Sequence, residues 1–220
     1  CFDKAEQEYS EALKIYRCLA EKNPETFDSC VATTLSNLAL LHSDTQHFDK
    51  AEQECCEALD IRRRLAEKSP EPFENDVAQT LSNLAILHTD TQCFDKAELE
   101  YGEALEIHRR LAEKNPEAFD SHVADTLNNL ALLHNDTQRF DKAEQEYGEA
   151  LEIYRRLTEK NPEAFNSDVT RTLVNYAIMH ADTQRDDKAI EELKEALAIY
   201  SRIANYTAID KAIIREIKRF

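Results

Sequence analysis

The chain has 220 residues, only two of them glycine and none tryptophan, and a formal net charge of −17. That charge excludes a broad phosphate-neutralising face for nucleic acid, and no apolar run approaches the ~20 residues a membrane span needs. Scarce glycine beside abundant Ala, Leu, Glu, Lys and Arg predicts helix throughout.

The chain opens at Cys1, inside a repeat and without a methionine, and is expected to be a piece of a longer protein. From Phe2 it reads Phe-Asp-Lys-Ala-Glu. The word returns at Phe48, Phe94 and Phe140, each time 46 residues on, and in degraded form at Asp186. A fixed period of this size marks stacked supersecondary units in which each repeat contacts its neighbours. The expected array covers residues 1–204, with repeats at 2–47, 48–93, 94–139 and 140–185 and a partial one at 186–204.

Within a repeat, Phe48 to Lys68 predicts a long helix, with Ala51, Cys55, Ala58, Leu59, Arg62 and Leu65 near three-and-four spacing. Asp60 and Arg64 stand four apart, as do Glu106 with Arg110 and Glu152 with Arg156, which predicts ion pairs along the helix. Ser69-Pro70 stops it, because proline keeps the preceding residue out of the helical region. Asn23-Pro24, Asn115-Pro116 and Asn161-Pro162 do the same in the other copies. A connector such as Pro24–Ser29 is expected next, with Phe27, Phe73, Phe119 or Phe165 plugging the end between helices and Asp28 or Ser29 as N-cap. A second, shorter helix is expected over Val31–Asp44. Asp44-Thr45-Gln46 and its copies then turn the chain, without the glycine usual at a left-handed helix exit. After Tyr200 the pattern changes. Ile209, Ile213, Ile214 and Ile217 predict a capping helix within 205–220, covering the last open face.

The six cysteines hold no column throughout the copies and form no Cys-x-x-Cys pair. Drift in a reducing compartment, with a cytoplasmic location, is the expectation. His42, His88, His134 and His180 form an invariant row. Repeats stack roughly a helix diameter apart, ~10 Å, whereas zinc ligands lie within ~2 Å of one ion. The row is therefore read as core histidine, with no metal, no cofactor and no catalytic residue. The lysine row at Lys4, Lys50, Lys96, Lys142 and Lys188 is expected to pair with Asp44-type residues or with water.

These residues resemble a tetratricopeptide repeat, most closely the kinesin-light-chain type. Leu35, Leu38, Ala39 and His42 take the places of Trp, Leu, Gly and Tyr in the family signature, and Ala51, Cys55 and Ala58 those of Ala, Phe and Ala. The departure is length, 46 residues against the family's ~34, which reads as a second family helix longer by about two turns. The resemblance implies an all-α fold, a right-handed superhelical solenoid of antiparallel helix pairs. It also implies that the first helix of each pair lines a concave, peptide-holding face.

Carried over by column, the concave candidates are Thr33, Ser36, Asn37 and Leu40; then Gln79, Ser82, Asn83 and Ile86. The third repeat offers Asp125, Asn128, Asn129 and Leu132, and the fourth Arg171, Val174 and Asn175, with Asp44, Asp90, Asp136 and Asp182 at the rim. The invariant row Asn37, Asn83, Asn129 and Asn175 suits a main chain of any sequence, because an amide both donates and accepts. Thr33, Gln79, Asp125 and Arg171 differ in charge within one column, as Ser36, Ser82, Asn128 and Val174 differ in size, and selectivity is expected there.

The expected function is a protein- or peptide-binding scaffold, not an enzyme, with a basic partner favoured by the charge. Two alternatives stand beside it. One is a sensor or regulatory array attached to a catalytic domain such as a nucleotide hydrolase. The other is self-association through the open N-terminal edge, Cys1–Leu19.

Overall fold

A computed structural model describes residues 2–201. The capping helix expected within 205–220 lies outside them. Among the described residues there are nine helices and no strand. The chain divides into two compact bodies, Cys1–Lys114 and Asn115–Phe220.

The first body holds α1 (Phe2–Ala20), α2 (Pro24–Asp44), α3 (Phe48–Lys68), α4 (Pro70–Asp90) and α5 (Phe94–Lys114). Each helix packs on the next, and α2 also meets α4. The second body holds α6 (Pro116–Asp136), α7 (Phe140–Lys160), α8 (Pro162–Asp182) and α9 (Asp186–Tyr200). It repeats the scheme, with α6 also meeting α8. Two recurring alanines in each long helix explain the close approach. Ala51, Ala58, Ala97, Ala104, Ala143 and Ala150 are all buried, and a methyl group keeps the backbones near each other. Around them in the first body lie Leu35, Leu38, Ile61 and Leu65 in one cluster and Leu59, Leu81, Leu84 and Leu87 in the next. In the second body Tyr147 and Met179 join Ala131 and Ala143.

Three expectations about the joints are corrected. There is no connector at Pro24–Ser29: the even-numbered helices start at the proline itself. Proline lacks the N–H that a first helical residue has no use for, and its φ already suits a helix. One proline therefore ends one helix and starts the next, with a single extended residue between in the full repeats, such as Ser69 at φ −145. That residue, not Asp28 or Ser29, is the N-cap, and Asn161 Oδ1 accepts from Ala164 N at 3.3 Å. Phe27, Phe73, Phe119 and Phe165 then sit half-buried in the first turns of helix.

Both helices of a full repeat are consequently 21 residues long, so the length beyond the family's ~34 is not carried by one helix alone.

The ion pairs also differ. Arg110 reaches Glu74 at 2.9 Å and Arg156 reaches Asp120 at 2.8 Å, both on the preceding helix rather than four residues back. A carboxylate on a neighbouring helix ties two elements together, which a pair within one helix does not.

The glycine-free turn is built on Gln46, Gln92, Gln138 and Gln184, which take φ near +60. His47 N donates to His42 O at 2.7 Å and Gln46 N to Ser43 O at 2.9 Å. This is the paired bonding of a Schellman exit, with glutamine in the place usually held by glycine.

Candidate functional site

The backbones of α2 and α4 approach each other in the first body, as those of α6 and α8 do in the second, whereas the odd-numbered helices reach one another through long side chains, such as Arg63 on α3 to Glu103 on α5. The more crowded layer is the inner one, and its open side is the candidate surface.

In the first body this surface carries exposed apolar side chains. Leu40 is 50% exposed and Ile86 42%. With Ser43 and Asn83 they border a shallow cavity of about 40 Å3, whose other lining residues are Ala39, Ala51, Cys55 and Leu87. That is room for about two or three waters or the tip of one side chain. Asn83, in its lining, and Asn37, on α2, are both half-buried, and no hydrogen bond within the protein engages either amide among the described residues. Thr33 and Gln79 are exposed. Ser82 Oγ is buried without a partner.

The second body differs. Arg171 donates to Asp125 Oδ1 at 3.0 Å and to Asp168 Oδ1 at 3.1 Å. Tyr154 donates to the same Asp125 oxygen at 2.6 Å. Asn175 Nδ2 donates to Asn128 Oδ1 at 3.4 Å, and Asn128 Nδ2 to Asn129 Oδ1 at 3.5 Å. Leu132 and Val174 pack against the core, while Ile178 is 51% exposed. Here the variable column binds itself: two residues expected to read a partner neutralise each other. A second correction concerns Ser36 and Asn128, which are 7% and 1% exposed. They lie beneath the surface and cannot touch a partner on it.

The histidine row is buried and flanked by carboxylates. His42 Nδ1 lies 2.7 Å from Glu54, and Nε2 lies 3.1 Å from Glu6. His88 stands likewise between Glu100 at 2.7 Å and Glu52 at 3.0 Å. His134 meets Glu146 at 2.6 Å, and His180 meets Glu192 at 2.9 Å. The outer glutamates also take the lysines: Lys50 lies 3.6 Å from Glu6, Lys96 2.9 Å from Glu52, and Lys188 3.0 Å from Glu144. The expected pairing of the lysines with Asp44-type residues is therefore corrected. The bond to His88, then that to Lys96, lowers the Glu52 carboxyl, whereas burial raises that of Glu100. Arg185, at 2.6 Å, is the main cause that brings Glu144 down to about 2. These partners were missed in the sequence, although the signal is present: a glutamate stands at a constant offset before and after each histidine. No group of three or more metal-ligating side chains gathers among the described residues, and no described helix is long and apolar enough to cross a membrane.

Paired 21-residue helices in the full repeats, buried alanines between them and an open inner layer define a helical repeat scaffold. Tetratricopeptide-repeat family models match residues 31–71 and 76–156. Together these ranges cover more than half of the chain, and it belongs to the tetratricopeptide-repeat family. A search of curated proteins finds no match. Among solved structures, BtubC (BKLC) from P. vanneervenii is 21% identical, with 94% of each chain covered and a TM-score of 0.56. MamA is 15% identical, with 92% of this chain and 95% of that one covered and a TM-score of 0.60. The apo form of RapI is 18% identical, with 91% and 67% covered and a TM-score of 0.66. These likenesses show the fold, an all-α solenoid of antiparallel helix pairs. As a class, such arrays are protein-interaction scaffolds rather than catalysts.

Proposed function

We propose that the inner layer of the first body holds an extended segment of a protein or peptide partner. The observation that carries this reading is the pair Leu40 and Ile86, left exposed on adjacent inner helices around one shallow cavity with the Asn83 amide uncommitted beside it. An extended main chain offers a donor and an acceptor at every residue, which one amide can meet together. Asn37 and Asn83 take the main chain, Leu40 and Ile86 an apolar side chain, and Thr33 and Gln79 set preference at the edge. In the second body Asn129, Asn175 and Ile178 are the equivalents, with Asp125 and Arg171 already engaged. The role is binding without chemistry, in a cytoplasmic setting and with no nucleic-acid partner.

The test is selection from a random peptide library on the intact chain, followed by affinity measurement. Asn83→Ala combined with Ile86→Asp should abolish binding of the selected peptides, while Leu99→Asp, on an exposed part of α5, should not. Peptides that bind the first variant as tightly as the native chain would sink this reading.

A second reading is self-association through α1. Ile15 is 60% exposed where its repeat equivalent Ile61 is 6%. Light scattering over a range of concentrations decides it: a strict monomer ends the idea.

A further inference from the structure

In the second body three side chains on successive helices meet at the inner surface. Tyr154 of α7, 0% exposed, donates to Asp125 Oδ1 of α6 at 2.6 Å. Arg171 of α8 donates to the same oxygen at 3.0 Å. The Asp125 side chain is itself 52% exposed. A carboxylate at the surface therefore reaches a polar group whose ring lies in the buried layer beneath it.

Two repeats back, the same three places hold Thr33 on α2, Arg62 on α3 and Gln79 on α4. The carboxylate is gone, and a cation stands in the place of Tyr154. Arg62 is 8% exposed. Its Nη1 donates to Thr80 Oγ1 and, at 3.3 Å, to the Asp76 backbone oxygen. Both acceptors are neutral. Nε and Nη2 have no partner among the described residues and are not closed off from the surface. Among the described residues no carboxylate forms an ion pair with Arg62, and Asp76 acts on it only through space. Burial pulls its pKa down, yet a guanidinium stays charged in a protein. A buried charge is costly unless an opposite charge meets it.

The apolar cavity lies along the same three helices. Leu40 is seven residues from Thr33 on α2, Cys55 seven from Arg62 on α3, and Ile86 seven from Gln79 on α4. Seven residues are about two turns, or ~10 Å. An extended segment covers that distance in about three residues at ~3.3 Å each. The net charge of −17 opposes a broadly acidic segment, so the match is a single carboxylate.

We propose that Arg62 receives one aspartate or glutamate side chain of the bound segment, entering over Thr33 where the second body has its own Asp125, about three residues from the apolar side chain in the cavity. The proposal rests on the peptide-holding role above and names the partner's chemistry.

Selection on the intact chain from a random peptide library with amidated C-termini tests it, since amidation leaves side chains as the only source of carboxylate. Peptides selected on the native chain should carry Asp or Glu about three residues from an aliphatic residue. Changing that acid to its amide should weaken binding about tenfold on the native chain, but less than about twofold on Thr33→Asp, which supplies the carboxylate from within. Leu99→Asp adds the same charge on an exposed part of α5 and should keep the acid preference; an equal loss there would reduce the effect to bulk charge and overturn the proposal. Without any peptide, Thr33→Asp should raise Tm by roughly 2–4 °C, and Thr33→Asn should not. No rise from the aspartate would mean that Arg62 lacks no anion there and would overturn the proposal, as would an acid preference that survives Arg62→Gln. If the selected peptides show no aliphatic residue and bind Ile86→Asp as tightly as the native chain, the peptide-holding role fails. If aliphatic residues are selected without the acid, that role stands and this proposal alone falls.

Discussion

His42 Nδ1 lies 2.7 Å from Glu54 Oε2, and its Nε2 lies 3.1 Å from Glu6 Oε1. Only the imidazolium has an N–H for both carboxylates. Burial pulls this imidazole down, but the bonds to Glu54 and Glu6 outweigh it and its pKa rises. The stability it adds is full below the unfolded value, about 6.5, and is lost as pH rises through the higher folded value. Glu6 is lowered, first by its bond to His42. Its contribution is therefore present above the ordinary carboxylate range and is lost as pH falls below it. Both contributions are full only between about 4.3 and 6.5, so Tm should fall as pH leaves that window on either side. His42→Gln should flatten the alkaline limb in melts followed by circular dichroism. An unchanged alkaline limb would mean that His42 is neutral in the fold.

Gly102 and Gly148 sit inside α5 and α7, and a Cβ at either position meets nothing within 4 Å. Glycine inside a helix costs roughly 0.5–1 kcal/mol against alanine. Gly102→Ala and Gly148→Ala should each raise stability by about that amount in urea unfolding. A loss would contradict the open space above both residues.

Gln92 and Gln138 hold φ near +60 at the exit of α4 and α6. The left-handed region costs a side chain about 1–2 kcal/mol, partly offset by the greater freedom of glycine in the unfolded chain. Gln92→Gly should therefore stabilise by up to about 1 kcal/mol, with the Schellman bonds kept. Destabilisation would indicate that the glutamine side chain supports the turn.

Asp125 serves two donors of different worth. Its pair with Arg171 is about half exposed on both sides, so a double-mutant cycle should return less than about 1 kcal/mol. The Tyr154 hydroxyl bonds it from a fully buried ring. Asp125→Ala leaves that hydroxyl unsatisfied and should cost about 1–3 kcal/mol, and Tyr154→Phe in the same background should recover part of it.

Much of this was legible in the sequence because the repeat states it several times. Phe48 and Lys68 bound α3 as expected, and Ala51, Ala58, Leu38 and His42 are buried as their columns imply. The joints were not legible. Pro24 reads equally as the end of one helix and the start of the next, because proline suits the first helical position as well as it breaks a helix interior. The turn at Gln46 carries no glycine, so its left-handed residue has no local signature. Pairings across repeats were hidden for another reason: Glu6, His42 and Glu54 belong to three different helices. Of the columns singled out in the sequence, Ser36 and Asn128 lie below the candidate surface. The engagement of Asp125 with Arg171 follows from one charge in each of two neighbouring repeats, which a column-by-column comparison treats as variation.

The most direct measurement is photo-crosslinking of a library-selected peptide to chains carrying a photoreactive phenylalanine at one position. Substitution at Leu40 or Ile86 should crosslink the peptide, and substitution at Leu99, the more exposed at 76%, should not. Crosslinking from Leu99 with none from Leu40 or Ile86 would place the partner away from the inner layer and contradict the account.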